Sequence, residues 1–284
     1  SVDNGTRATL VVIGARLPVG SVHDVVGLEG TAWLLGKTLA AQANAALSGD
    51  AGVTVDVGRS STLFTLSALP DAWGVAWAML ERTLFDATLD STSFERERTR
   101  LSGQVLFQSG SPALDSEGRV VQLVSSPSNP WARSPRGTRA SLDALTIHDA
   151  QLLRRSKYSA TSSVVAAVGL GDNAVLREHP AQLVNSPPQG PAWTVGTRLD
   201  VTQEVTSSWI SVAYPLQGPL SRTAMAFVAD RIRWRLSPLP PGPDRYAVAV
   251  PLVDATLGVV IVVVTAVAPA ASPRLYQEVV RVRA

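Results

Sequence analysis

The chain has 284 residues, 45% hydrophobic and 17% charged, with a formal net charge of +2. That composition supports a large core in one or two domains and excludes an intrinsically disordered polypeptide. The near-neutral balance, with only short arginine groups at 154–155 and at Arg231, Arg233 and Arg235, argues against nucleic-acid binding, and the absence of cysteine removes disulfides, thiolate catalysis and cysteine-held zinc together.

In chain order, Arg7 to Val12 and Val12 to Leu17 read as extended segments. Leu28, Ala32, Leu35, Leu39 and Ala43 recur at helical spacing, which predicts a helix over 28–47. Gly52 to Val57 and Thr62 to Leu69 alternate as strands, with Gly58-Arg59-Ser60 as their turn. Pro70-Asp71 opens a helix whose Trp73, Trp77, Leu80 and Leu84 share a face. Ser91 or Ser93 caps another, running through Phe94, Leu101 and Val105. A Ser/Pro-rich loop over 125–137 precedes a helix over 141–158 and a strand over 163–169.

Asn185 to Pro191 reads as a linker, after which the pattern partly restarts. Strands are predicted at 207–215, 248–253 and 257–268, and a helix at 221–236 with Met225, Val228 and Ile232 on one side. The apolar run from Leu257 to Ala268 falls short of the roughly 20 residues of a bilayer-spanning helix and is valine-rich, as buried strands are, so no membrane span is expected. The order of elements predicts an α+β fold, a mainly antiparallel sheet with helices on one face, built as duplicated half-domains of which the second is shortened. The expected layout is a first domain over 1–184, a linker over 185–195 and a second domain over 196–284.

The three histidines, His23, His148 and His179, form no pair with metal-ligand spacing. His23 beside Asp24 has the composition of a base and its orienting carboxylate, but no nucleophile is identifiable. Gly27-Leu28-Glu29-Gly30 and Gly169-Leu170-Gly171 lack the glycine spacing of a dinucleotide loop.

Gly30-Thr31-Ala32-Trp33-Leu34-Leu35-Gly36-Lys37-Thr38-Leu39, preceded by Val19-Gly20-Ser21, resembles the signature of the pitrilysin/insulinase peptidases, whose zinc motif is the inverted His-x-x-Glu-His. Four further stretches follow the family pattern in order. They are Val2-Asp3-Asn4-Gly5-Thr6-Arg7; Phe94-Glu95-Arg96-Glu97-Arg98; Asn129-Pro130-Trp131 with Gly137-Thr138 and Ser141 to Thr146; and Tyr158-Ser159 with Val168-Gly169. Tyr214-Pro215 and Asp244 to Val248 extend the match more loosely into the second half.

The resemblance implies a degenerate zinc site. The first His position falls on Trp33, the Glu that activates water on Gly36, the second His on Lys37, and the downstream Glu ligand at about Gln104. Indole and glycine offer no ligand atom, a protonated amine has no lone pair, and a Gln oxygen is a weak ligand for zinc. Gly36 in a helix interior also costs roughly 1 kcal/mol relative to Ala, unless a neighbour approaches closely there.

By the same resemblance, Tyr246 with either Arg245 or Arg235 contacts the substrate backbone and steadies the oxyanion. The implied function is a non-catalytic subunit of a heterodimeric zinc metallopeptidase, similar to the inactive subunit of bacterial or mitochondrial processing peptidases. It would form half of a peptide-binding chamber, with no cofactor of its own and zinc in a homologous partner subunit. An extended peptide is expected to add as a strand to an exposed sheet edge. The alternatives are a structural scaffold of the same fold, without a peptidase role, and an enzyme or binding domain of unrecognised chemistry. Abundant arginine with almost no lysine suggests a bacterial source, leaving the periplasm and cytoplasm both open.

Overall fold

In the computed structural model the described residues are 9–123, 129–170, 199–201, 208–215, 249–254 and 259–266, with single positions at 227, 230, 231 and 277. They fall into two compact units. The first joins Ser1–Val105 with Arg133–Gln189, and the second joins Leu106–Ala132 with Gly190–Ala284. The segment expected as a linker, 185–195, lies outside the described residues, as does nearly all of the helix expected over 221–236.

In the first unit, β1 (Val11–Leu17), β2 (Ala51–Val57), β3 (Thr62–Ala68) and β4 (Val164–Val168) form an antiparallel sheet in the order β2-β3-β1-β4. Alternation along β1 buries Val11, Ile13, Ala15 and Leu17 on one face, and Phe64, Leu66 and Ala68 of β3 extend that face. The helices α1 (Thr31–Ala46) and α2 (Trp73–Phe85) cover it, and α6 (Ile147–Lys157) packs on α1. Leu34, Leu35, Leu39, Leu80, Leu84 and Leu153 join the sheet residues in one continuous core. The α+β architecture is therefore as the hydrophobic periodicity predicts.

α1 starts at Thr31, later than the apolar pattern suggests, because Gly30 takes a left-handed conformation with φ of 97°. Asp24 then reaches back from the preceding loop. Its Oδ2 accepts from the Gly30 N–H and its Oδ1 from the Ala32 N–H, each at 2.8 Å, which satisfies donors that a helix start leaves open.

The single helix expected over 141–158 is two. α5 (Arg139–Ala144) ends before Thr146, which caps α6 reciprocally with Asp149. α3 (Ser91–Ser109) runs as predicted, and Asp90 accepts from the Ser93 N–H at 2.7 Å to begin it.

In the second unit α4 (Pro112–Leu123), a helix the hydrophobic pattern does not single out, packs on β5 (Ser208–Pro215) and β7 (Val259–Ala266). With β6 (Ala249–Asp254) these strands form an antiparallel sheet in the order β5-β7-β6. Ser116 of α4 and Ser211 of β5 share a hydrogen bond of 2.6 Å. Among the described residues no helix is long and apolar enough to cross a membrane.

Candidate functional site

The face of α1 that carries Trp33, Gly36 and Lys37 is held by a seam of two glycines. Gly30, at φ of 97°, lies so close to the Arg136 backbone that an added Cβ would come within 2.8 Å of the Arg136 carbonyl oxygen. Gly137, at φ of 77°, packs its Cα against the Glu29 carbonyl just as tightly, and the Ser141 hydroxyl donates to that same oxygen at 2.8 Å. This approach brings Arg136 to α1. Its guanidinium carbon sits 5.4 Å from the centroid of the Trp33 ring, and Lys37 Nζ sits 4.8 Å from the same centroid. Trp33 is thus a half-buried indole attracting two cations, each contact worth about 0.5–1 kcal/mol where partly exposed.

Gly36 is buried against the sheet. A Cβ there would lie 2.7 Å from a Val57 methyl, 3.4 Å from one of Val55 and 3.6 Å from one of Thr62. The close-approach reading of this glycine is the one the geometry supports: its missing side chain lets α1 settle onto β2. The space that a general-base carboxylate would need is filled by valine.

Lys37 is half-buried, and its Nζ donates to the Val55 carbonyl of β2 at 2.9 Å. Burial lowers the pKa of its ammonium below the ordinary 10.5; Arg100 and Arg136 push the same way, while Glu97 and Asp56 oppose them. Glu97 and Arg100 of α3 form an ion pair of 2.9 Å in which the carboxylate is largely buried. Gln104 follows them on the same helical face, by its spacing of seven and four residues.

Two turns beyond Gly36 and Lys37, Asn44 turns toward the same strand. Its Nδ2 donates to the Val53 carbonyl and its Oδ1 accepts from the Val53 N–H, both at 2.8 Å.

His23 and Asp24 do not act together. His23 Nδ1 lies 3.2 Å from the Gly20 N–H and carbonyl, whereas the Asp24 carboxylate is committed to the start of α1. His148 is exposed, and His179 lies outside the described residues. Tyr246, Arg245 and Arg235 also lie outside them. Arg100, Arg136 and Asn44 belong to this site but escape a reading by motif, and Glu97, which lies in a family-like stretch, gains its place beside Lys37 only through the fold.

The sequence matches no family model and no curated protein. Its structure does find counterparts. A peptidase M16 inactive domain from Pseudomonas fluorescens superposes with a TM-score of 0.69 at 15% identity, covering 96% of this chain and 73% of that one. A chain of Complex III2 from Candida albicans gives 0.66 at 14% identity, over 92% of this chain and 67% of that one. Pitrilysin gives 0.62 at 13% identity, and here 97% of this chain spans 33% of the other.

The fold is that of the pitrilysin-type peptidases. On that fold the zinc chemistry can be tested against the residues present, and they do not fit it. Trp33 and Gly36 have no donor atom, and Lys37 brings a cation already engaged by Val55. Among the described residues no group of three or more His, Asp or Glu side chains is placed to hold a metal. What the pitrilysin-type α1 presents instead is a cationic, aromatic surface, with α3 contributing the Glu97–Arg100 pair beside it.

Proposed function

We propose that this chain is a non-catalytic, pitrilysin-type subunit that builds one wall of a peptide chamber and works beside a homologous zinc-bearing subunit. The observation that carries the reading is the replacement of all three α1 motif positions by residues that pack rather than ligate: Trp33 under two cations, Gly36 against Val57, and Lys37 on Val55. The similarity in fold to an inactive peptidase domain supports it.

A chamber closes around a peptide from two sides, and one metal suffices for hydrolysis. A wall without a metal still contributes binding surface, exclusion of water and donors aimed at developing charge. Tyr246, with Arg245 or Arg235, is assigned that donor role. The deciding experiment pairs this chain with a homologue from the same genome that carries the intact His-x-x-Glu-His motif. Stable association and a peptidase rate well above that of the homologue alone support the reading. No association and an unchanged rate end it.

The second reading is a scaffold of the same fold with no part in proteolysis. The specific observation in its favour is the similarity in fold to a chain of Complex III2. It is distinguished by Tyr246→Phe: a scaffold assembles and functions unchanged, whereas a chamber wall loses peptidase rate in the pair.

A further inference from the structure

The two hydrogen-bonding side chains of α1 that reach β2 do so at the outer edge of the sheet. β2 pairs with β3 in antiparallel register, Val53 opposite Leu66 and Val55 opposite Phe64. In such a pair, residues alternate between directing both backbone groups at the partner strand and directing both away. The Gly58 N–H donating to Ser61 O at 2.8 Å, and the Leu69 N–H donating to Asp50 O at 2.9 Å, fix the phase. The even-numbered residues of β2 face β3, and Val53 and Val55 point their N–H and C=O outward. An extended peptide adding to β2 would have to use those outward groups.

Three of those four groups are already taken. Asn44 supplies a donor and an acceptor to Val53, the same pair of bonds that a residue of an added strand would make. Lys37 takes the Val55 carbonyl at 2.9 Å. Lys37 and Asn44 are seven residues apart on α1, two helical turns, which places them on one face above successive outward positions of the strand.

We propose that Lys37 and Asn44 form an internal clasp that closes the outer edge of β2 against strand addition. Any extended peptide that this chain holds is therefore held elsewhere than beside Trp33 and Gly36. The side chain at the position that the resemblance assigns to the second zinc ligand is itself half of the clasp. The clasp follows from the register and the hydrogen bonds alone and does not depend on a peptidase partner.

The test uses the whole chain, isotope-labelled, with a fluorescein-tagged peptide Lys-Thr-Val-Thr-Val-Thr-Val-Lys as the strand probe. In wild type the Val53 amide exchanges slowly and the probe gives no binding at millimolar concentration. In the double variant Lys37→Met with Asn44→Ala, Val53 exchange rises at least tenfold relative to β3 amides, and the probe binds and restores protection at Val53 and Val55. Should that variant fail to fold by circular dichroism, the near-isosteric Asn44→Asp replaces it. It loses the donor to the Val53 carbonyl and must bind the probe measurably where wild type does not. Probe binding to wild type with protection at Val53, or a folded variant that neither exchanges faster nor binds, overturns the clasp. Association with a zinc-bearing homologue is read separately and leaves this outcome unaffected.

Discussion

Lys37 holds its ammonium 4.8 Å from the centroid of the Trp33 indole, so the two positions that would carry histidine ligands are joined to each other across one helical turn. The contact is a cation–π interaction in a partly desolvated setting, and Arg136 approaches the same ring at 5.4 Å. A double-mutant cycle of Trp33→Leu and Lys37→Met, read by urea denaturation, should give a coupling of about 0.5–1 kcal/mol in favour of the wild-type pair. A coupling indistinguishable from zero would reduce the contact to coincidence.

Replacing glycine by alanine in a helix interior ordinarily stabilises by roughly 1 kcal/mol. At Gly36 the sign should reverse, because the new methyl meets a Val57 methyl at 2.7 Å in a packed core, and overpacking of this kind costs about 1–3 kcal/mol. Gly36→Ala should therefore lower stability by up to about 2 kcal/mol on these two terms. In a Val57→Ala background the same change should be neutral or stabilising. Denaturation midpoints of the four variants decide it.

Asp24 is buried and caps two donors of α1 at once. Asp24→Ala leaves the Gly30 and Ala32 N–H groups without this acceptor inside the fold. The expected loss is about 2–4 kcal/mol, more than an exposed cap commonly contributes. Because Gly30 belongs to the seam that carries Arg136, the variant should also weaken the contact with Trp33, seen as a change in indole fluorescence relative to Trp33→Phe.

The pH dependence of Lys37 has a definite sign. Burial lowers its pKa below 10.5, so between the lowered value and 10.5 the unfolded chain binds more of a proton than the folded one. Its charged form is a cost to the fold that is fully present below the lowered value and is relieved as pH rises toward 10.5. Wild type should therefore gain stability relative to Lys37→Met on going from neutral to alkaline pH. A difference between the two that stays constant across that range would contradict the assigned burial.

Much of this organisation is legible in the residues themselves. β2, its turn and β3 follow from alternation between Gly52 and Leu69, and the face of α1 follows from Leu35 and Leu39. The errors have physical causes. The start of α1 is set by a carboxylate six and eight residues from the donors it caps, which periodicity does not register. The break between α5 and α6 lies in the reciprocal cap of Thr146 and Asp149, visible in the letters but overridden by the continuous run around it. Trp33, Gly36 and Lys37 stand out through the family resemblance, whereas Asn44 does not, because its importance depends on which strand ends at the edge of the sheet. Arg136 reaches Trp33 only through the Gly30 and Gly137 contact, a tertiary event between segments more than a hundred residues apart.

The Val57 methyl lodged against Gly36 closes a route as well as a gap. A carboxylate introduced at that position alone would collide with valine and find no metal ligand beside it, since neither Trp33 nor Lys37 supplies one. Installing hydrolytic chemistry on this helix therefore demands several coordinated changes, and the first of them, taken singly, lowers stability before any activity can appear.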